Sequence, residues 1–260
     1  MSDYVLFQMW GLFRRSLIKG HEFYVDQARK RLLSQFENMS AEADKAADEW
    51  LEQSSGAFDP DRHDPGDFYE AAYEHSIEFY QLLSDLRDRT RLSVVAGMFH
   101  EWDKQLRDWL VREMHHWHRG ETAASKVWSA DFGKIADLLQ SFGWNLRSAE
   151  YFNTLDACRL VVNVYKHGAG KSLDDLKQSY PHYLRDPADE SLDLPDTRFL
   201  DHTHLKVTDE QFRAFSEAIV AFWRDVPESI VSAQVMEVPA WFGNAIETDR
   251  HSRCWGVDRL

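Results

Sequence analysis

Apolar residues recur at three- and four-residue spacings along almost the whole chain, a period that fits helices and little else. Across residues 4–53, Val5, Met9, Leu12, Phe13, Ile18, Phe23, Leu32, Leu33 and Phe36 keep this spacing, predicting one long helical segment with a bend at Gly20. Helix formers fill residues 40–51, and Ser40 is placed to restart a turn. Prolines, glycines and aspartates then cluster over residues 54–66, which read as a loop. Asp67 is positioned to cap a helix carrying Phe68, Ala72, Ile77, Phe79, Tyr80, Leu83 and Leu86. The polar cluster at residues 88–91 predicts a break. From Leu92 to about Trp117, Val95, Phe99, Trp102, Leu106, Trp109, Leu110 and Met114 form one broad apolar face.

Shorter helices are predicted near residues 131–142 and from about 148 to 167, the latter ended by Gly168-Ala169-Gly170. Residues 180–205 hold three prolines and little periodicity, so they read mostly as loop. Thr208 and Gln211 have capping-box character before the apolar run from Phe212 to Trp223, and Pro227 follows the helix end. The last thirty residues look irregular, with one strand around residues 230–238. With strand signals almost absent, the fold class is all-α: a helical bundle with a long N-terminal helix and an irregular C-terminal extension. Three units are expected: a helical segment over 1–53, a helical core over 67–180, and a loop, one further helix (about 208–225) and a tail over 181–260, packed on the core.

Composition supports a substantial core. Of 260 residues, 43% are hydrophobic and 13% aromatic, which excludes wholesale disorder. A net charge of −14 argues against a general nucleic-acid coat, because phosphate binding needs clustered cations, though it leaves room for a local basic cleft. Two cysteines, Cys158 and Cys254, cannot build a disulfide framework or a cysteine-based zinc site. No uninterrupted apolar run is long enough to cross a membrane. The opening residues have Asp3 early, their first basic pair after the apolar run, and no small-residue cleavage site, unlike a secretory signal. The expectation is a cytoplasmic protein with no membrane partner.

Several motifs invite chemistry. Gly170-Lys171-Ser172 suggests a phosphate loop, but that motif needs glycine at position 165, which is Tyr, and a preceding strand. A glycine helix stop plus a serine cap at Ser172 accounts for it better. Histidines gather at His115, His116 and His118, with His100 earlier and His202 and His204 later; a histidine-rich metalloprotein is a third, weaker reading, against that of a polar helix end suited to the dipole. No metal-ligand set or cofactor motif is complete. There is no nucleophile elbow and no dinucleotide fingerprint.

The most specific stretch is residues 158–168. At 100° per residue, Arg159, Asn163, Lys166 and His167 lie within an arc of about 100° on an otherwise apolar helix. Polar groups there need partners or a task. Histidine moves protons near neutral pH, and lysine and arginine hold phosphate oxygens, so the set suits phosphodiester chemistry. The structural alternative is that Asn163 and His167 satisfy neighbouring groups while Lys166 and His167 complement the helix dipole.

Residues 162–167, preceded by Arg159 and followed by Gly168-Ala169-Gly170, resemble the signature of the HEPN superfamily, in which an Arg-polar pair lies four to six residues before a His near a helix end. Asn163 and His167 match the polar position and the histidine; Val162 stands where the family has its arginine. The helix over residues 95–110 resembles the family's earlier core helix, and the likeness spans about 67–180. It implies a homodimer with two His-bearing helices at a shared cleft, and a metal-independent ribonuclease, or an RNA-binding component, of prokaryotic toxin–antitoxin or phage-defence systems. The partners it implies are RNA, a second copy, and a protein partner or antitoxin. By that likeness His167 is the acid–base group and Asn163 supports it. Lys166 and Arg159 are added from charge and placement, with Arg159 about 12 Å along the axis from His167. The rival reading is a non-enzymatic helical scaffold, whose long N-terminal helix and 10 Trp serve partner binding.

Overall fold

The spine of the molecule is a helix of 50 residues, about 75 Å long at the α-helical rise. The computed structural model describes residues 4–59, 61–185 and 199–256, with side chains described as far as residue 252. A short strand, β1 (Val5–Gln8), is followed by α1 (Gly11–Arg31) and α2 (Met39–Ser54). The spine helix is α3 (Pro65–Met114), and α4 (Glu121–Ser129), α5 (Phe132–Ser141), α6 (Phe152–His167) and α7 (Lys171–Ser179) follow. Then come α8 (Asp209–Asp225), β2 (Ser229–Val231) and α9 (Ala240–Gly256). The fold is all-α apart from the small β1–β2 pair.

Local signals set several helix ends. Asp64, not Asp67, caps α3, its carboxylate accepting from the Gly66 amide with Pro65 in the first turn. Asp131 caps α5 through the Lys134 amide, and Thr208 and Gln211 close a reciprocal capping box on α8. Gly168 ends α6 at φ +70°, a conformation that disfavours side chains.

The N-terminal expectation needs correction. Residues 5–8 are a strand, antiparallel to β2, with Val5 opposite Val231 and Phe7 opposite Ile230. Indole N–H groups of Trp109 and Trp117 donate to the Gln8 and Leu6 carbonyls, so α3 and the turn after it satisfy backbone that a helix would have bonded internally. A turn of 3-10 helix at Leu33–Phe36 then separates α1 from α2.

The expected break at residues 88–91 is also absent. Arg91, 9% exposed, donates to Asp88, Asp209 and the Val207 carbonyl, so the polar cluster fastens α3 to the start of α8 without interrupting it. From Leu92 onward α3 is buried against α1, α6 and α8, with Trp102, Trp109 and Trp223 inside the core. The tail is not irregular: α9 packs on α4. The strand near residue 230 is present as β2, shorter than expected and followed by a 3-10 turn. Of the loop expected over 180–205, residues 186–198 lie outside the described residues; its flanks carry two 3-10 turns and a bridge between Leu184 and Leu205.

The outer half of α3 reaches beyond this core with α2 along one side, Phe68 packing against Trp50 and Phe58. Residues 39–86 hold thirteen acidic side chains against Lys45 and Arg62, a net −11 of the chain's −14. The acidity inferred from composition is therefore concentrated in one arm.

His21 of α1 is buried against Ser216 of α8, 2.9 Å away. Burial pushes its pKa down, the Ser216 hydrogen bond partly opposing, to about 4. A histidine folded neutral stabilises fully above its unfolded pKa of about 6.5, and that stability is lost as pH falls toward 4. The expected loss at pH 4 relative to pH 7 is about 2–3 kcal/mol. His21→Gln, which does not titrate, should flatten the urea midpoint between these pH values; an unchanged pH dependence would refute this role.

Candidate functional site: the α6–α7 tip

Helix α6 places the polar stripe where α6 turns into α7, and its members meet different fates. Arg159 is half-buried and tied to Asp156, with Nη2 and Nε 2.7 and 2.9 Å from Oδ1. The Tyr180 hydroxyl donates to the other oxygen of Asp156 at 3.3 Å. Burial, followed by the charge of Asp156, raises the Tyr180 pKa, so this phenol stays a proton donor. Arg159 is therefore already neutralised at the far end of the stripe.

Val162, at the position of the family arginine, is 1% exposed within the core. A guanidinium there would need an ion partner that the surrounding apolar side chains do not offer. Asn163 is half-buried, and Lys166 and His167 are exposed; none of the three makes a hydrogen bond or ion pair among the described residues. Tyr165, on the opposite side of the helix, locks α6 to α3 through a 2.7 Å hydrogen bond with Ser93. The structure thus gathers Asn163, Lys166 and His167 on one surface and assigns Arg159 elsewhere.

The turn itself is Gly168-Ala169-Gly170. A Cβ on Gly168 would lie 3.5 Å from the His202 ring, so a residue from a distant segment packs against this turn. Gly170, at φ +144°, begins α7 with no side-chain cap, and Lys171 follows, exposed and unpaired among the described residues. An uncapped helix start offers amide donors and a positive dipole end, although Asp174 in the first turn counters part of it. What precedes is helix rather than strand, so the phosphate-loop architecture is absent here.

The histidine cluster divides similarly. His118 is buried and bonded to Asp249, while His115 and His116 face solvent. Among the described residues no group of three or more His, Cys, Asp or Glu is arranged to hold a metal ion. Cys158 is buried, and burial raises its pKa, leaving an inert thiol.

Sequence reasoning missed a second polar cluster. A cavity of about 370 Å³ at the junction of α3 and α8 is lined by Arg87, Arg91, Arg185 and Lys206 with Asp88 and Asp209. These residues come from separated segments, and the local cue, the polar run at 88–91, suggested a helix break instead. Arg87, Arg91 and Lys206 pair with Asp88 or Asp209 and anchor the fold, whereas Arg185 is exposed and makes no ion pair among the described residues.

The chain matches no protein-family model, no curated protein and no solved structure. No helix among the described residues is long and apolar enough to cross a membrane.

Proposed function

We propose that this is a HEPN-like helical protein that binds RNA at the α6–α7 tip, and that one chain alone does not complete a cleavage site. The observation that carries the reading is the set of exposed, unpaired Lys166, His167 and Lys171 beside the uncapped start of α7. Phosphate oxygens would accept from both ammonium groups and from the free amides, and His167 can transfer a proton near neutral pH. The acidity of the arm does not describe this tip. Cleavage would further need a fixed cation against the developing charge. Arg159 is committed to Asp156 and Val162 is apolar, so that cation would have to come from a partner chain.

The test is incubation of the purified protein with labelled RNA in the presence of a chelator. Wild type is expected to retard the RNA and leave it intact, and Lys166→Ala combined with His167→Ala to weaken retention about tenfold. Cleavage abolished by His167→Ala would instead assign a stand-alone, metal-independent ribonuclease. Absence of retention by folded protein would overturn the RNA reading. The second reading, a non-enzymatic interaction protein, would then lead, favoured by the burial of Val162 and by the exposed aromatic face of α3.

A further inference from the structure

We infer that the outer half of α3 docks onto the basic face of α1 in a second copy of this chain. Tyr69, Tyr73, Ile77 and Tyr80 lie within about 80° of one another on α3 and are 40–67% exposed. That face points well away from the side occupied by α2. A monomer seldom shows three tyrosines and an isoleucine in one stripe without a partner. Glu70, Glu74 and Glu78 run along one edge of it, exposed and without ion pairs among the described residues.

A complementary face exists on the same chain. On α1, Leu12 and Phe23 are 76% and 66% exposed and share an arc of about 80° with Arg15 and Lys19. Both cations are exposed and unpaired among the described residues. The helix carries six basic residues against two acidic ones in a chain of net −14. Leu12 to Phe23 and Tyr69 to Tyr80 each span eleven residues, about 16 Å, so the two apolar strips match in length as well as in charge.

The contact cannot close within one chain. Tyr24 donates to the Val94 carbonyl, which holds the middle of α1 beside the core half of α3. From Val94, Tyr80 lies about 21 Å and Tyr69 about 37 Å further along a continuous helix. Two copies satisfy both faces reciprocally, each arm covering the partner's α1, and a two-fold pair makes the contact twice. This pairing is independent of the RNA proposal and involves none of the α6 residues.

Sedimentation of the full chain at low micromolar concentration tests it. Wild type is expected to be a dimer that dissociates as salt rises from 0.05 to 0.5 M. Glu70→Lys with Glu74→Lys and Glu78→Lys, or separately Arg15→Glu with Lys19→Glu, should each weaken association about tenfold or more. Combining all five substitutions reverses both faces and should restore the dimer. A photo-crosslinker at position 23 should attach to residues 65–86 of the other copy, read by mass spectrometry of mixed heavy- and light-isotope protein. A wild-type monomer, a dimer indifferent to both charge reversals, no rescue by the combined variant when circular dichroism shows it folded, or crosslinks confined to a different protein would each overturn the proposal.

Discussion

Arg107→Met is expected to lower the unfolding free energy by about 3–5 kcal/mol, among the largest losses any single side-chain change on α3 should cause. Arg107 is 7% exposed, and all three guanidinium nitrogens are engaged. Nε and Nη2 hold both oxygens of Asp103 at 2.8 and 3.0 Å, a two-pronged ion pair one turn back on the same helix. Nη1 donates to the carbonyls of Val127, Trp128 and Ala130, at 2.6, 3.2 and 2.7 Å. Those carbonyls end α4, where the helix has no further amides to offer them. Methionine fills much of the volume but leaves a partly buried carboxylate and three carbonyls without donors. Urea denaturation should show a lower midpoint with an unchanged slope. Adding Asp103→Leu should recover part of the loss, because it removes the stranded charge; no recovery would mean that the carbonyls, not the ion pair, dominate.

Asp249→Ala should cost about 2–4 kcal/mol and release α9 before the rest of the molecule. The Asp249 carboxylate is 6% exposed and accepts from His118 Nε2 and from the amides of Thr122 and Ala123, each at 2.9 Å. It caps the N-terminus of α4 from another helix. Gly120 is required beside it, since a Cβ there would collide with the carboxylate and the His118 ring. Burial alone would raise the Asp249 pKa; hydrogen bonds from His118, Thr122 and Ala123 outweigh it and hold the group well below the usual carboxylate range. A depressed carboxylate contributes stability above its unfolded pKa of about 4 and loses it only as pH falls below that. Its contribution is therefore intact across the window in which His21 titrates, so the two effects separate by pH. Hydrogen exchange should speed up over residues 240–252 in Asp249→Ala while residues 92–114 stay protected. Uniform acceleration across the chain would show that α9 has no separate opening.

How far the sequence could be read depended on how near each residue's partners lie. The core half of α3, α5, α6 and α8 were legible because their apolar periods are strong and their ends are set within three or four residues, by Asp131, Thr208 and Gly168. Residues 5–8 have an apolar run that fits either state; the strand exists because Ile230 and Val231 lie opposite and two indoles bond its carbonyls. The polar run at 88–91 failed to break α3 because Asp209 and the Val207 carbonyl arrive from more than a hundred residues away. Helix α9 has only a weak apolar stripe, and its place is set by Asp249 at the start of α4.

The same distinction governs the candidate site. Sequence placed Asn163, Lys166 and His167 on one face of one helix, since that follows from helical geometry alone. Whether each polar group was free or already used was a tertiary matter. Arg159 went to Asp156, which Tyr180 also holds, Val162 went to the core, Asn163 was left half-buried and unpaired among the described residues, and Lys166 and His167 were left to solvent. By itself, then, the sequence determined an all-α chain, the positions of its strongest helices and the surface on which the polar stripe emerges, because those depend on neighbours within one helical turn. The tertiary structure alone decided the β1–β2 pair, the unbroken spine, the docking of α9 and the gathering of charge into an arm. Each of those rests on hydrogen bonds or packing between segments far apart in the chain, whose meeting no local pattern encodes.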